Sequence, residues 1–267
     1  MNIGIVGFGA IGQTLYKLIA EHASDIRVDA VVERQERHDA VRGQLLPGTR
    51  LVASVQEMLA AKPALVIECA GHAALKAAGA EVLAAGCDLL VASVGALADT
   101  SIELALRSAA QAGSAKIRIP SGALGGLDVL GAARLAGLAA VTYTSNKAPR
   151  AWKGTPAEEM IDLDKLTEAQ AFFTGDAREA ALRFPQNANV AAAVALAGIG
   201  FEKTVVNLIA NPAATGNRHR IQAHGAFGEI DVSILGKTLP DNPKTSMLAP
   251  YSLIRSLVNL TGTIVVG

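Results

Sequence analysis

Asn2-Ile3-Gly4-Ile5-Val6-Gly7-Phe8-Gly9-Ala10-Ile11-Gly12 reads as a short apolar strand running into a glycine turn. A helical pattern follows to about His22, and a second apolar run, 28–32, closes on Glu33. Each glycine has a task in a phosphate-binding strand–turn–helix–strand unit. Gly7 permits the tight turn, Gly9 lets backbone approach a pyrophosphate, and Gly12 lets the helix lie close on the strand. The helix start at Ala10 and Ile11 supplies N–H groups and a partial positive charge for the phosphates. Glu33 stands where a carboxylate accepts from ribose hydroxyls. A plain tight turn would explain the glycines alone; strand, helix and acid together point to a dinucleotide site.

The alternation continues outward from this unit. Residues 51–53, 64–69, 88–94 and 116–119 read as further strands. Between them, Ser54-x-x-Glu57 opens a helix that ends before Pro63, an Ala-rich helix runs from His72 to Ala85 and is stopped by Gly86, and Thr100-x-x-Glu103 opens another. Strands separated by helices of this length predict a doubly wound parallel sheet, a Rossmann-type α/β domain over 1–120. Its ligand belongs at the carboxyl ends of the strands, which include Ala70, Gly71, Val94 and Gly95. Past Pro120 the pattern changes. A glycine-rich bend, 121–128, feeds a helix, and strand-like runs follow at 140–145, 169–174, 204–210, 218–224 and 229–235. The last two flank Gly225-Ala226-Phe227-Gly228, a hairpin signal, and an Ala-rich helix covers about 190–200. This is an α+β second domain, 121–240, with a mostly antiparallel sheet and the substrate and catalytic groups. The tail, 241–267, carries Leu248, Tyr251, Ile254, Leu257 and Val258 at helical spacing and is expected to pack back on the first domain.

Composition narrows the function. Lys plus Arg and Asp plus Glu both number 24, so no basic excess points to nucleic acid. Aromatics are 4% of the chain, too few for a base-stacking surface. No apolar run is long enough to span a membrane, and the N-terminus is strand rather than signal peptide, so a cytoplasmic protein is expected. Cys69 and Cys87 read as two reduced thiols, and no His-x-x-x-His, Cys-x-x-Cys or acidic cluster offers a metal site. Neither a G-x-S-x-G elbow nor a Walker motif is present.

A nicotinamide site needs a second domain that holds the substrate and handles its protons. Of five histidines, His22 and His38 lie in polar stretches and read as solvated, while His72 starts a helix near the expected cofactor edge. His219 and His224 lie on the hairpin, five positions apart, so a regular strand faces them oppositely. By periodicity alone His219, sharing a face with Ile221 and Ala223, is either a packed histidine or a catalytic one. Asn189, in Asn187-Ala188-Asn189-Val190, reads either as part of a helix cap or as an amide presented to a carboxamide ring. Ser121-Gly122-Ala123 is plain turn chemistry or a backbone contact. Lys147, Arg150 and Lys153 form either a solvated loop or a carboxylate clamp.

Several segments, taken in order along nearly the whole chain, resemble the L-aspartate dehydrogenase family: 7–12, Pro120-Ser121-Gly122-Ala123-Leu124-Gly125-Gly126-Leu127-Asp128, Phe184-Pro185-Gln186-Asn187-Ala188-Asn189-Val190-Ala191, Asn217-x-His219-x-Ile221, Gly225-x-Phe227-Gly228 and Asn242-Pro243-Lys244-Thr245-Ser246. The first is generic to Rossmann folds; the next two are specific in combination, and Asn146-Lys147-Ala148-Pro149 is a looser match. The resemblance implies NAD(P)-dependent oxidation of L-aspartate to iminosuccinate, which hydrolyses to oxaloacetate and ammonia or feeds NAD synthesis. It implies Ala123 and Asn189 as cofactor contacts and His219 as the catalytic residue. A general base near neutral pH is the role expected of His219, with Arg218, Arg220 or Lys147 holding the substrate carboxylates. NAD is expected as the preferred cofactor, because Glu33 repels a 2′-phosphate, and NADP is tolerated if Arg34 and Arg37 offset that repulsion. Alternatives are a dihydrodipicolinate reductase or homoserine dehydrogenase type, or a non-catalytic NAD(H) sensor. A homodimer is also expected.

Overall fold

The structure, a computed structural model, describes residues 1–185, 189–240 and 242–266. By contact the chain divides into one unit of Met1–Ala96, Thr100–Pro120 and Pro250 onward, and a second of Leu97–Asp99 and Ser121–Ala249. In the first unit β1 (Asn2–Val6), α1 (Ala10–His22), β2 (Arg27–Val32), α2 (His38–Arg42), β3 (Arg50–Val52), α3 (Val55–Leu59), β4 (Leu65–Glu68), α4 (His72–Ala84), β5 (Asp88–Val91), α5 (Thr100–Ala112) and β6 (Ile117–Arg118) follow one another. The six strands are all parallel, in the order β3-β2-β1-β4-β5-β6. The order reverses between β1 and β4, so a crevice opens at their carboxyl ends, beside the glycine turn. Strands covered on both faces must be apolar throughout. Accordingly Ile3, Ile5, Leu65, Ile67 and Leu90 are buried with Leu15 and Ile19 of α1. The closing helix belongs to the same core, through Leu253, Ile254 and Leu257.

Local chemistry sets the element ends. Ser54 Oγ accepts from Glu57 N at 3.3 Å, the N-cap half of the capping box, and donates its own hydrogen to the Glu57 carboxylate at 2.8 Å. The strand expected over 88–94 stops at Val91. Ser93 instead gives both its N–H and its hydroxyl to the Glu68 carboxylate, and 94–98 turn as a 3-10 helix.

The second unit contains α6 (Leu127–Ala136), β7 (Leu138–Lys147), α7 (Ala157–Met160), β8 (Gln170–Asp176), α8 (Ala177–Arg183), α9 (Asn189–Ala197), β9 (Thr204–Ala210), β10 (Asn217–Gly225), β11 (Gly228–Gly236), β12 (Thr238–Leu239) and β13 (Asn242–Ser246); α10 (Leu248–Thr261) ends the chain. Its main sheet has the order β11-β10-β7-β9-β8. Only β7 and β9 run parallel; the other neighbours are antiparallel, as the sequence predicts. The hairpin closes at Gly225↔Gly228 around Ala226-Phe227, with Gly228 at φ +113. α7, α8 and the β12–β13 pair have no clear sequence signal. β7 runs two residues beyond the expected 145, and this extension carries Lys147 into the sheet.

Candidate functional site

The first unit holds a cradle made mainly of backbone. Gly7 sits at φ +90, and a Cβ there would fall 2.5 Å from the Ala70 Cβ. A Cβ on Gly12 would lie 2.3 Å from the Gly7 carbonyl oxygen, so α1 is packed directly on the turn. A Cβ on Gly9 meets nothing within 4 Å: the space above the turn is open. No side chain caps α1 and no acid occupies its first turn. The N–H groups at Ala10, Ile11 and Gly12 therefore suit an anion. Glu33, buried to 7% exposure, accepts from Phe8 N and Arg34 N at 3.0 Å and from Arg37 Nη1 at 2.9 Å. A carboxylate offers about four acceptor directions. The direction left on Oε1 can take a ribose hydroxyl. Open space over Gly9, an uncapped helix start and a fixed acid fit a dinucleotide.

Glu68, at the end of β4, gave no sequence signal beyond its place in an apolar run. It is 2% exposed, and burial pushes its carboxyl pKa up. It accepts from Ala70 N and Gly71 N at 2.8 Å and from Ser93 N and Oγ at 3.0 and 2.9 Å. It thereby fixes the loop that lies against Gly7 to the end of β5.

The second unit holds a cluster made of side chains. Register places Ser145 of β7 opposite His219 of β10, so alternation puts Tyr143, Ser145, Lys147, Asn217 and His219 on one buried face. Tyr143 Oη lies 2.7 Å from His219 Nδ1, with the rings stacked at 9° and 6.1 Å between centroids. Burial pushes the Tyr143 phenol above its ordinary pKa. Ser145 Oγ is buried close enough to that phenol to hold its pKa down against burial, but makes no hydrogen bond of ordinary geometry. Lys147 is 5% exposed, with Nζ 5.0 Å from the centroid of the Trp152 ring. Burial lowers its pKa to about 8.

Three expectations change here. His219 does not titrate near neutrality: burial first, and the Lys147 charge second, lower its pKa to about 3, so it is neutral in the working range. Arg218 and Arg220 are on the opposite, exposed face of β10, where Arg218 meets Ser233 and Arg220 is ion-paired with Asp231. They cannot share a ligand with His219. His38 is buried, its ring bonded to the Glu33 carbonyl at 3.0 Å. Arg150 is exposed and Lys153 pairs with Asp164, which leaves Lys147 as the buried cation of that segment. Ala123 is buried at 6% in the bend 121–126, where Leu124 N bonds Ser121 O at 3.1 Å. Asn189 is the first residue of α9 and half-buried; Asn187 and Ala188 fall outside the described residues. Tyr143 and Ser145 were not singled out by sequence, although polar residues on an otherwise apolar strand face are a signal for such a cluster.

Comparison with known proteins agrees with both halves. Residues 128–260 match the family model described as aspartate dehydrogenase, C-terminal, and residues 7–120 the homoserine dehydrogenase NAD-binding domain. The chain is 44% identical to L-aspartate dehydrogenases of Ralstonia nicotianae and Pseudomonas aeruginosa, in each case over 97% of both chains. The crystal structure of aspartate dehydrogenase from Thermotoga maritima superposes with a TM-score of 0.79 at 28% identity, covering 100% of this chain and 99% of that one. A hyperthermophilic archaeal homoserine dehydrogenase in complex with NADPH shares the fold alone, at a TM-score of 0.62 and 13% identity. A glycine cradle with its acid, a buried His219 face, and likeness along almost the entire length converge on one assignment: the chain belongs to the L-aspartate dehydrogenase family.

Proposed function

We propose that this protein catalyses the NAD(P)-dependent oxidation of L-aspartate to iminosuccinate, or the reverse reductive amination. Iminosuccinate then hydrolyses to oxaloacetate and ammonia or is passed on to NAD synthesis. The observation that carries the reading is the buried polar face of β7 and β10, in a chain whose other unit is built around a dinucleotide cradle. When bound, the nicotinamide dinucleotide supplies the hydride acceptor. The residues that hold it are Gly7, Gly9, Ala10, Ile11 and Gly12 at the pyrophosphate and Glu33 at the ribose, with Ala123 and Asn189 as further contacts. His219 is the catalytic residue; it is buried and neutral, and its ring is held by Tyr143. The preferred cofactor is NAD, since Glu33 is buried next to the ribose position, and Arg37 lets NADP be tolerated. No helix among the described residues is long and apolar enough to cross a membrane, and Cys69 and Cys87 are free, which suits a cytoplasmic enzyme. The protein acts as a homodimer.

The test is aspartate-dependent NAD reduction followed at the NADH absorbance band. Wild type should turn over L-aspartate, and His219→Ala should lose about 10²–10³-fold in kcat while binding NADH unchanged. A protein that binds NADH and turns over no amino acid would be a sensor, and the reading would fail.

A further inference from the structure

We propose that Lys147 accepts the proton from the substrate's ammonium group, while His219, its hydrogen held on Nε2 by Tyr143, serves the substrate as a hydrogen-bond donor and not as the base. This rests on the amino-acid dehydrogenase reading given above.

The argument begins with the hydrogen on the Tyr143 hydroxyl. Tyr143 is fully buried, and a buried O–H without an acceptor is costly. His219 Nδ1 stands 2.7 Å from Oη; Ser145 Oγ, the nearby alternative, makes no hydrogen bond of ordinary geometry, and its effect of lowering the phenol's pKa is that of a hydroxyl donating to Oη, not accepting from it. The phenol therefore donates to Nδ1. A neutral imidazole that accepts at Nδ1 carries its hydrogen on Nε2. Its one basic lone pair is occupied, and the free end of the ring can only donate. With a pKa of about 3, it would have to take a proton from an ammonium that titrates far higher, a steeply uphill transfer.

Lys147 has the opposite properties. It shares the face of Ser145 and His219, two residues further along β7, and is held over the Trp152 ring. Burial brings its pKa down to about 8, so a useful share of it is neutral near pH 8 and can take a proton. Among the described residues, the titratable groups on this face are His219 from β10 and Tyr143 from its own strand. β9 contributes Leu208 and Ala210, and the turn at 149–152 contributes Trp152. Neither His219 nor Tyr143 changes charge between pH 6 and 9, so among these side chains a limb near 8 belongs to Lys147, and its loss in Lys147→Arg separates it from titration of the substrate. In the step itself an N–H bond of the substrate breaks and one forms at the Nζ lone pair. The electron pair stays on the substrate nitrogen, ready for the C=N bond that forms as the hydride leaves Cα for the nicotinamide dinucleotide.

Lys147→Arg and Lys147→Gln test this. Arginine keeps the charge but cannot give up its proton. Wild-type activity on L-aspartate is measured first; its absence would sink the reading of function rather than the role of Lys147. Given that activity, both variants should lose about 10²–10⁴-fold in kcat and lose the rise of kcat through pH 8. If Lys147→Arg keeps kcat within a few-fold of wild type, Lys147 is only a charge that holds a carboxylate, and the proposal is wrong. Trp152, the single tryptophan, reports by its emission whether each variant keeps the site folded. A measurement on wild type decides independently of any variant. Side-chain ¹⁵N spectra, with the His219 signals identified by their loss in His219→Gln, should show the Nε2–H tautomer. The Nδ1–H tautomer would overturn the proposal.

Discussion

The glycine turn of the first unit and the β7–β10 face of the second are both built sites, assembled by different means. The turn is backbone: Gly7, Gly9 and Gly12 matter for the atoms they lack. The β7–β10 face is side chain: Tyr143, Lys147 and His219 matter for titratable groups held in a low-dielectric interior. A backbone site costs little stability, because its N–H groups lie at a helix end in any case. A side-chain site of this kind is a standing penalty, because a buried cation is disfavoured. Function should therefore cost the fold little in the first region and oppose it in the second.

The sharpest way to break the comparison is within the turn itself. Gly12→Ala would press a Cβ against the Gly7 carbonyl, backbone on backbone, where nothing flexible can yield. We expect a loss of about 2–4 kcal/mol in thermal or denaturant unfolding, with NADH binding lost alongside it. Gly9→Ala meets nothing in the protein and has an unremarkable φ of −80. It should unfold like wild type yet bind NADH at least ~10-fold more weakly, because the added methyl occupies the approach of the pyrophosphate. Equal effects of the two substitutions on stability would show that the turn does not divide into a folding glycine and a binding glycine.

This difference also explains what was legible in sequence. A backbone cradle must be continuous, so strand, turn, helix and Glu33 sit within one short stretch. The parallel sheet follows for the same reason, from local alternation. The second site has no such continuity. Tyr143 and His219 are 76 positions apart, and only the register of β7 against β10 joins them. The apolar run ends at 145, so Lys147 reads as a loop charge until the strand is seen to continue through it. His219 reads as a neutral-pH base because sequence carries its ordinary pKa and not its burial. Arg218 and Arg220 fail as ligands for a simpler reason: alternation on β10 already places them on the other face, a consequence of the same periodicity that selected His219.

On the second side of the comparison, Lys147→Met should stabilise the fold while removing activity. A thioether of similar length fills the space without the desolvation penalty that lowers the Lys147 pKa, and we expect a gain of at most ~3 kcal/mol at pH 7, reduced by the contacts the ammonium makes. The pH dependence fixes the cause. The folded pKa of about 8 lies below the ordinary 10.5, so the unfolded chain binds more protons between those values, and wild-type stability rises with pH across that window. The advantage of Lys147→Met should accordingly be full below pH 8 and shrink towards pH 10.5. A variant less stable than wild type at pH 7 would mean that Lys147 contributes to the fold, and the opposition between stability and function would not hold in this region.

The smallest expected effect returns to the first region and concerns the one side-chain element of its cradle. Arg37 bonds Glu33 at 2.9 Å with its side chain 36% exposed, so the pair contributes little to stability. Its expected consequence is electrostatic selectivity. Arg34 is paired at the surface with Glu36, which leaves Arg37 as the cation that offsets Glu33 where a 2′-phosphate would sit. Arg37→Ala should leave kcat/KM with NAD within about 2-fold and lower it with NADP by about 3–10-fold, because a phosphate would then face the carboxylate alone. Arg34→Ala should move neither. An unchanged NAD-to-NADP ratio in Arg37→Ala would mean that discrimination lies outside the acid and its partner, and that this backbone cradle selects its cofactor by shape alone.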